Sequence, residues 1–265
     1  MHLVHGSPSL INHLELPYQM IFNCEQVLNV FFLYRVIIPV CKKGKDSTDC
    51  QSHHPITVFP VLCKLMDSLV INMFNQTCSM PENQFGFKNG LNGEHLHSIL
   101  VNVILKTVSS EDPLFLAGHN ISRACHSGIH PQLSLEALLR GMNISVIATL
   151  RNMYRRLNVK VKSLSGENSD LIERSIPVHK SIRQGTITSP PLFNNSVIDA
   201  QKKADMSFIF EGLGLSLLNY ADDVLNLRRT LALIEKNFAS LSEEYNDIGL
   251  NFNPSNSECI KFNSK

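Results

Sequence analysis

Asn219-Tyr220-Ala221-Asp222-Asp223-Val224 is the stretch around which the rest of this chain is organised. Apolar runs flank it at 213–218 and 224–227, and both are typical of short strands, so the acidic pair falls at the turn of a hairpin. Two adjacent carboxylates repel each other unless a cation neutralises them, and an all-oxygen pair suits a hard ion such as Mg²⁺. A solvated Asp-Asp turn is the alternative, and spacing alone leaves both interpretations open.

The composition indicates a globular protein. The chain has 265 residues, enough for one large domain or two small ones, and 43% of them are hydrophobic while 18% are charged. The formal net charge is only +1. Because proteins that bind nucleic acid tightly usually carry a clear basic excess, this balance argues against tight binding of nucleic acid.

Cysteine usage and hydropathy favour an intracellular protein, cytoplasmic or nuclear. Seven cysteines are scattered without a Cys-x-x-Cys pair, as expected in a reducing compartment. The first five residues lack the features of a signal peptide. The most apolar segment, 27–40, is too short and too interrupted to cross a membrane, so we expect no membrane contact.

Hydrophobic periodicity predicts an alternation of helices and strands downstream of a poorly ordered lead-in at 1–25. Helical spacing recurs in four segments: 62–73, 94–108, 131–157 with a break at Gly141, and 231–245. A loop at 183–194 leads into a further helix that reaches about 202. Strands are predicted at 35–40, 114–117, 159–162 and 171–178, and a final strand pair surrounds 253–255.

Five blocks, in order, resemble the reverse transcriptases of non-LTR (LINE-type) retrotransposons. They are Lys42 to Val61 with Pro55-Ile56-Thr57, Gln84-Phe85-Gly86-Phe87-Lys88, Ile182-Arg183-Gln184-Gly185, Tyr220-Ala221-Asp222-Asp223, and Gly249-Leu250-Asn251-Phe252-Asn253-Pro254-Ser255. A lone Ala-Asp-Asp is a weak signal, but five blocks in the family's order indicate homology over residues 30–265.

The resemblance implies an α+β fold, the fingers and palm of a right-hand polymerase, with an antiparallel palm sheet packed on helices. Fingers are then expected at 26–112 and a palm at 113–265, with a helical and hairpin insert at 131–180, and we expect the thumb to be absent or incomplete. The implied activity is RNA-directed DNA polymerisation by a monomer, with an RNA template, a DNA primer, a deoxynucleoside triphosphate and Mg²⁺.

The resemblance also implies roles for particular residues. Asp222 and Asp223 are the expected metal ligands and catalytic carboxylates. A second group is expected to contact nucleotide or template, and it comprises Lys88, Cys125, Arg183, Gln184 and Gly185. For Gln184 and Gly185 a simple turn leading into a helix is the alternative.

The block that should carry the first metal aspartate departs from the family pattern. His119 to Gly128 aligns with it, and Asn120 takes the place of that aspartate while Cys125 replaces an aromatic residue. An amide oxygen carries no charge and cannot balance two divalent ions and a triphosphate. Asp112 and Glu136 are too far along the chain to substitute.

Two further positions also depart from the family pattern. Asn256 stands where the family has a lysine, and His54 where it has an arginine. We therefore expect weakened or lost Mg²⁺ binding and impaired catalysis. The alternative is an inactive, decayed copy that at most binds nucleic acid. The block order further predicts that Asn120 and Asp222 lie on neighbouring strands.

Two weaker patterns leave alternatives open. A zinc site is suggested by four residues: His119, Cys125, His126 and His130. The family register already accounts for that segment, and Pro131 disfavours the helical turn that would pair the last two. A basic helix face precedes Lys160 and Lys162 and comprises Arg151, Arg155 and Arg156; it is either solvated or a contact for nucleic acid.

Overall fold

The computed structural model describes residues 7–24, 35–78, 80–122, 130–155, 158–161, 176–177, 185–203 and 207–263. The helices are α1 (Pro8–Cys24), α2 (Val61–Thr77), α3 (Gly93–Ser109), α4 (His130–Leu139), α5 (Ile144–Arg155), α6 (Ser189–Lys203) and α7 (Leu231–Asp247). The strands are β1 (Val36–Cys41), β2 (His53–Val58), β3 (Leu114–Ser122), β4 (Asn158–Val161), β5 (Ile176–Pro177), β6 (Ile209–Phe210), β7 (Leu213–Gly214), β8 (Leu217–Tyr220), β9 (Asp223–Arg228), β10 (Asn251–Phe252) and β11 (Glu258–Phe262).

Helix α1 corrects the prediction of a poorly ordered lead-in. Tyr18 and Ile21 are buried, and the Tyr18 hydroxyl donates a 2.8 Å hydrogen bond to the Leu62 carbonyl. The helix forms although it contains Pro17, which cannot donate a backbone hydrogen bond and disfavours a helix interior. Burial of one apolar stripe at helical spacing outweighs that cost.

The chain divides into two compact units, of which the first comprises residues 1–78 and 134–189. Its sheet has the strand order β2-β1-β4-β5. Strands β1 and β2 are antiparallel with Val36 opposite Val58, β1 and β4 are parallel, and β4 and β5 are antiparallel.

The second unit comprises residues 79–133 and 190–265. Its antiparallel sheet has β3 in the interior, with β9 and then β8 on one side and with β10 and β11 on the other. A separate two-stranded ribbon joins β6 and β7. Whether the two units correspond to fingers and palm with the predicted boundaries stays a prediction.

Strands β10 and β11 differ from the predicted terminal strand pair. Each pairs with β3 instead of with the other: Asn251 lies opposite Ser122, and Glu258 opposite Gly118. A short 3-10 helix at Pro254–Asn256 separates them, and the Asn253 side chain caps it by accepting from the Ser255 amide. The proline-bearing turn therefore moves the chain along β3 and does not reverse it into a hairpin.

Both faces of the β3–β9–β8 sheet are covered by helices. On one face the core cluster joins Leu96 and Val103 of α3 to Leu114, Leu218 and Leu227 of the strands. Helix α3 begins at a capping box in which the Asn92 side chain accepts from the Glu94 and His95 amides.

Helix α7 covers the other face. Its buried residues recur at helical spacing: Ile234, Asn237, Leu241 and Tyr245. Asn237 donates a 3.1 Å hydrogen bond to Asn226 of β9, which ties the helix to the sheet. Among the helices that the structure describes, none combines the length and the apolar character that a membrane span requires.

Candidate active site

The acidic pair lies at the tip of the β8–β9 hairpin. Tyr220 pairs with Asp223, which leaves Ala221 and Asp222 as a two-residue turn. Ala221 has a φ of +56° while Asp222 does not have positive φ, and this is the pattern of a type II′ turn. Because glycine is the usual residue at that first turn position, an alanine there is strained.

Strand β3 brings Asn120 next to this tip. Asn120 lies opposite Asp223 in the β3–β9 register, and the Ile121 amide donates a 3.0 Å hydrogen bond to the Asp222 carbonyl. The prediction that Asn120 and Asp222 lie on neighbouring strands is confirmed as far as the hairpin: Asn120 lies on the strand next to β9, while Asp222 itself is in the turn just before β9 begins at Asp223. The roles assigned to Asn120, Asp222 and Asp223 in metal binding and catalysis stay predictions.

The Asn120 side chain makes a direct contact with the acidic pair. Its Nδ2 donates a 2.8 Å hydrogen bond to Oδ1 of Asp223. Burial raises the pKa of Asp222 above its ordinary value and the neighbouring Asp223 charge adds to that rise, while hydrogen bonds from the Asp222 backbone and from Asn120 oppose it. The amide thus supplies the acidic pair with a partial positive charge where a metal ion would supply a full one.

The donor set at the tip fits one divalent ion and does not fit two. Asp222 and Asp223 offer carboxylate oxygens, but Asn120 turns its N–H group toward Asp223. Within the ranges that the structure describes, no group of three His, Cys, Asp or Glu residues is placed to hold a metal. Two-ion phosphoryl transfer needs carboxylates that hold both ions, and at this tip the carboxylates are the adjacent pair Asp222 and Asp223.

A cavity of about 430 Å³ opens beside Asp223. Tyr220, Asn256 and Glu258 contribute to its wall, so Asn256, the position of the family's lysine, does lie near the acidic tip. Glu258 is a carboxylate that the sequence did not single out, because only the pairing of β11 with β3 brings it here. It still does not complete a cluster of three metal-binding side chains in the described part of the chain.

The loop that carries Lys88 lies against the hairpin. The Lys88 ammonium donates a 2.9 Å hydrogen bond to the Pro81 carbonyl, so it is held by its own loop. Gln84, earlier in the same loop, is fully buried, and its side chain hydrogen-bonds to Ala221 of the turn. The sequence marked this segment as a block of the family pattern but did not predict this contact.

Gly185 belongs to the first unit. It has a φ of +96°, and a Cβ added there would lie 2.4 Å from the Thr57 carbonyl oxygen of β2. Behind it, Thr188 donates a hydrogen bond to the buried Asp67 of α2. The need for glycine is therefore a close backbone approach within this unit, while its predicted nucleotide contact stays a prediction.

The other predicted site residues are accounted for as follows. Cys125, Arg183 and Gln184 lie outside the described residues, as does His126 of the zinc hypothesis. His54 is exposed on β2 and Arg151 is exposed on α5.

His119 has a structural setting. Its ring stacks on Phe238 with centroids 4.3 Å apart and meets Phe252 edge-on. It is 8% exposed, and neither ring nitrogen has a hydrogen-bond partner among the described residues. Burial lowers the pKa of His119 to about 4.

This histidine should make stability depend on pH. Between pH 6.5 and about 4 the unfolded chain binds a proton that folded His119 does not, so the free energy of unfolding falls as pH is lowered through that window. The loss approaches about 3 kcal/mol at the acid end. Urea titrations across this range on wild type and His119→Phe measure it. The phenylalanine variant keeps the ring stack and should show a flatter profile; equal profiles would contradict the assignment.

Sequence comparison finds two relatives of this chain among known proteins. No protein-family model matches the chain. The RNA-directed DNA polymerase from mobile element jockey of Drosophila funebris is 25% identical over 206 residues, and that of Drosophila melanogaster is 27% identical over 210 residues. Each match covers 75% of this chain but only 21% of the relative, so the chain spans about a fifth of their length.

A solved structure supports the fold. Apo telomerase from Candida tropicalis, truncated from the C-terminal domain, matches with a TM-score of 0.52 at 12% identity, over 75% of this chain and 40% of that one. Both units of the chain have mixed α and β structure with antiparallel strand pairs, which confirms the predicted fold class. The chain is a homologue of the RNA-directed DNA polymerases from mobile element jockey, and it shares the fold of that telomerase.

Proposed function

We propose that this chain is a reverse-transcriptase domain of a non-LTR retroelement in which polymerisation is impaired. The observation that carries the proposal is the hydrogen bond from the Asn120 amide to Asp223, since the family resemblance aligns Asn120 with a metal aspartate. The proposed partners are an RNA template, a DNA primer and a deoxynucleoside triphosphate. The relatives' names support polymerase ancestry, and the altered β3 residue supports loss of rate.

Magnesium is the proposed cofactor. Asp222 and Asp223 would hold one ion, which when bound would neutralise charge on the phosphates. The other residues of the site have structural roles. Tyr220 and Asn256 shape the cavity beside Asp223, and the buried sheet holds the hairpin in place. Loss of one preorganised electrostatic contact typically lowers the rate of an enzyme by about 100- to 1000-fold. We therefore expect wild type to synthesise DNA at least about 100-fold more slowly than a site with all its metal aspartates.

A primer-extension assay on the full chain tests this proposal. Wild type, Asn120→Asp and Asp222→Ala are compared on an RNA template with a DNA primer. We expect weak extension by wild type, stronger extension by Asn120→Asp because that variant restores the missing carboxylate, and no measurable extension by Asp222→Ala. Robust extension by wild type that Asp222→Ala abolishes would contradict impairment. Absence of extension in every variant, together with measurable primer–template binding, would instead support the alternative of an inactive copy that binds nucleic acid.

Binding of a primer–template should be weak and steeply dependent on salt. The formal net charge of +1 provides little long-range attraction, and contacts between basic side chains and phosphates weaken as salt rises. Fluorescence anisotropy between 50 and 300 mM salt, chosen as roughly the range over which such contacts are lost, measures the slope. Arg151→Ala removes one exposed cation and should reduce the slope of binding affinity against salt concentration. Tight binding that persists at high salt would contradict the expectation.

A further inference from the structure

The Gln84 side chain uses all of its hydrogen-bonding capacity inside the protein. Its Nε2 donates to Asn194 Oδ1 at 3.1 Å and to the Ala221 carbonyl at 3.3 Å. Its Oε1 accepts from the Gly86 amide at 2.8 Å and from the Ala221 amide at 3.0 Å. An amide group has two N–H donors and two acceptor lone pairs, so this fully buried group is satisfied.

Two of these four bonds hold one strained residue. Ala221 is the residue with positive φ in the acidic turn, and Gln84 binds both its amide and its carbonyl. A non-glycine residue in this conformation costs about 1–3 kcal/mol and persists only where its surroundings determine it. Gln84 provides that determination, because rotation of either peptide group of Ala221 would break a bond to a buried amide.

The neighbours of Gln84 reinforce the same contact. A Cβ on Gly86 would lie 2.4 Å from the Ala221 amide nitrogen, so the loop approaches the turn as closely as backbone permits. Asn194 of α6 accepts from Gln84 and donates to the Gly86 carbonyl. The Phe85 amide donates to Asn219 of β8, so the loop continues the edge of the sheet.

We infer that Gln84 is the positioning residue of the acidic turn. It fixes the peptide groups on both sides of Ala221, and the next residue is Asp222. Metal ligands bind only within narrow distance limits, and loss of a group that orients them typically lowers affinity by about 10- to 100-fold. The inference about the turn stands on the hydrogen bonds, and only its metal readout rests on the proposed function.

Hydrogen exchange on the wild-type chain tests the inference without any variant. The Ala221 amide should exchange on the order of 100-fold more slowly than the amide of Gly212, which lies at the tip of the β6–β7 turn. Slow exchange at Ala221 is the expected result because its N–H group is bonded to a buried acceptor. Exchange of Ala221 as fast as Gly212 would overturn the inference.

Variants separate positioning from general stability. Gln84→Leu is compared with Gln201→Leu, which also removes a buried glutamine of the second unit, bonded to the Tyr245 hydroxyl at 3.0 Å, but leaves the turn intact. Both are made in the Asn120→Asp background, and Mg²⁺ affinity is measured by calorimetry. Gln84→Leu should lower affinity by about 10-fold or more, and Gln201→Leu should leave it unchanged.

A rescue variant makes the result specific. Glycine adopts positive φ without strain, so Ala221→Gly should restore part of the affinity lost in Gln84→Leu. Equal affinities for Gln84→Leu and Gln201→Leu would overturn the inference, as would a failure of glycine to rescue. If the Asn120→Asp background itself binds no Mg²⁺, the proposed function fails, while exchange at Ala221 still decides the role of Gln84. If Gln84→Leu does not fold, hydrogen exchange of the Ala221 amide in wild type still tests the role of Gln84.

Discussion

Asn120→Asp is expected to raise the affinity of the chain for Mg²⁺ by about 30-fold. The substitution adds one negative charge at the position that now hydrogen-bonds to Asp223. One further charge about 4 Å from a divalent ion contributes about 2 kcal/mol even when fully screened by water, which corresponds to that ratio of dissociation constants. Calorimetric titration of wild type and variant measures the change.

The same substitution should destabilise the metal-free protein. It replaces the 2.8 Å hydrogen bond to Asp223 with like-charge repulsion beside a partly buried Asp222. The melting temperature should therefore fall without Mg²⁺ and recover as Mg²⁺ is added. Asn120→Ala is the matched control, since it removes the hydrogen bond without adding charge and should not gain affinity. Unchanged affinity in Asn120→Asp would show that the side chain at position 120 does not face the metal-binding position.

Gly185→Ala is expected to cost about 3 kcal/mol of unfolding free energy in the first unit. A φ of +96° strains any other residue, and the new methyl group would lie 2.4 Å from the Thr57 carbonyl oxygen, where backbone must move. Urea denaturation monitored by circular dichroism measures the loss.

Gly141→Ala provides the control for this effect. Gly141 lies in the same unit with a φ of +84°, and a Cβ there would meet nothing within 4 Å. That variant carries the backbone strain alone and should cost about 1 kcal/mol. The difference between the two variants isolates the contact with Thr57. Equal losses would show that β2 yields to the methyl group and that conformation alone requires the glycine.

The sequence predicted those parts of the site that depend on local patterning. Apolar runs on either side of the acidic pair predicted the hairpin, and the block order predicted that Asn120 lies beside it. Helical periodicity likewise predicted α3 and α7 within two residues at each end. These features depend on local residue patterns or on the order of the family's blocks, and both can be recognised in a single sequence.

The features that the sequence did not predict depend on contacts between distant segments. Gln84 and Ala221 are far apart in the chain, and no spacing rule connects a buried amide to a turn. Glu258 reaches the cavity only because β11 adds to β3. Helix α1 forms because its apolar side is buried, and Tyr18 on that side hydrogen-bonds to Leu62, which lies far along the chain.

The central place of β3 has a consequence for biosynthesis. The ribosome synthesises β3 before its partners β9, β10 and β11. Until those strands emerge, both edges of the nascent β3 segment have no strand to pair with. Contacts between such distant segments form slowly and expose apolar surface to aggregation in the meantime. During translation, Leu114 to Ile121 is therefore a segment where we expect a chaperone to bind, and it should be released only after Phe262 has been added to the sheet.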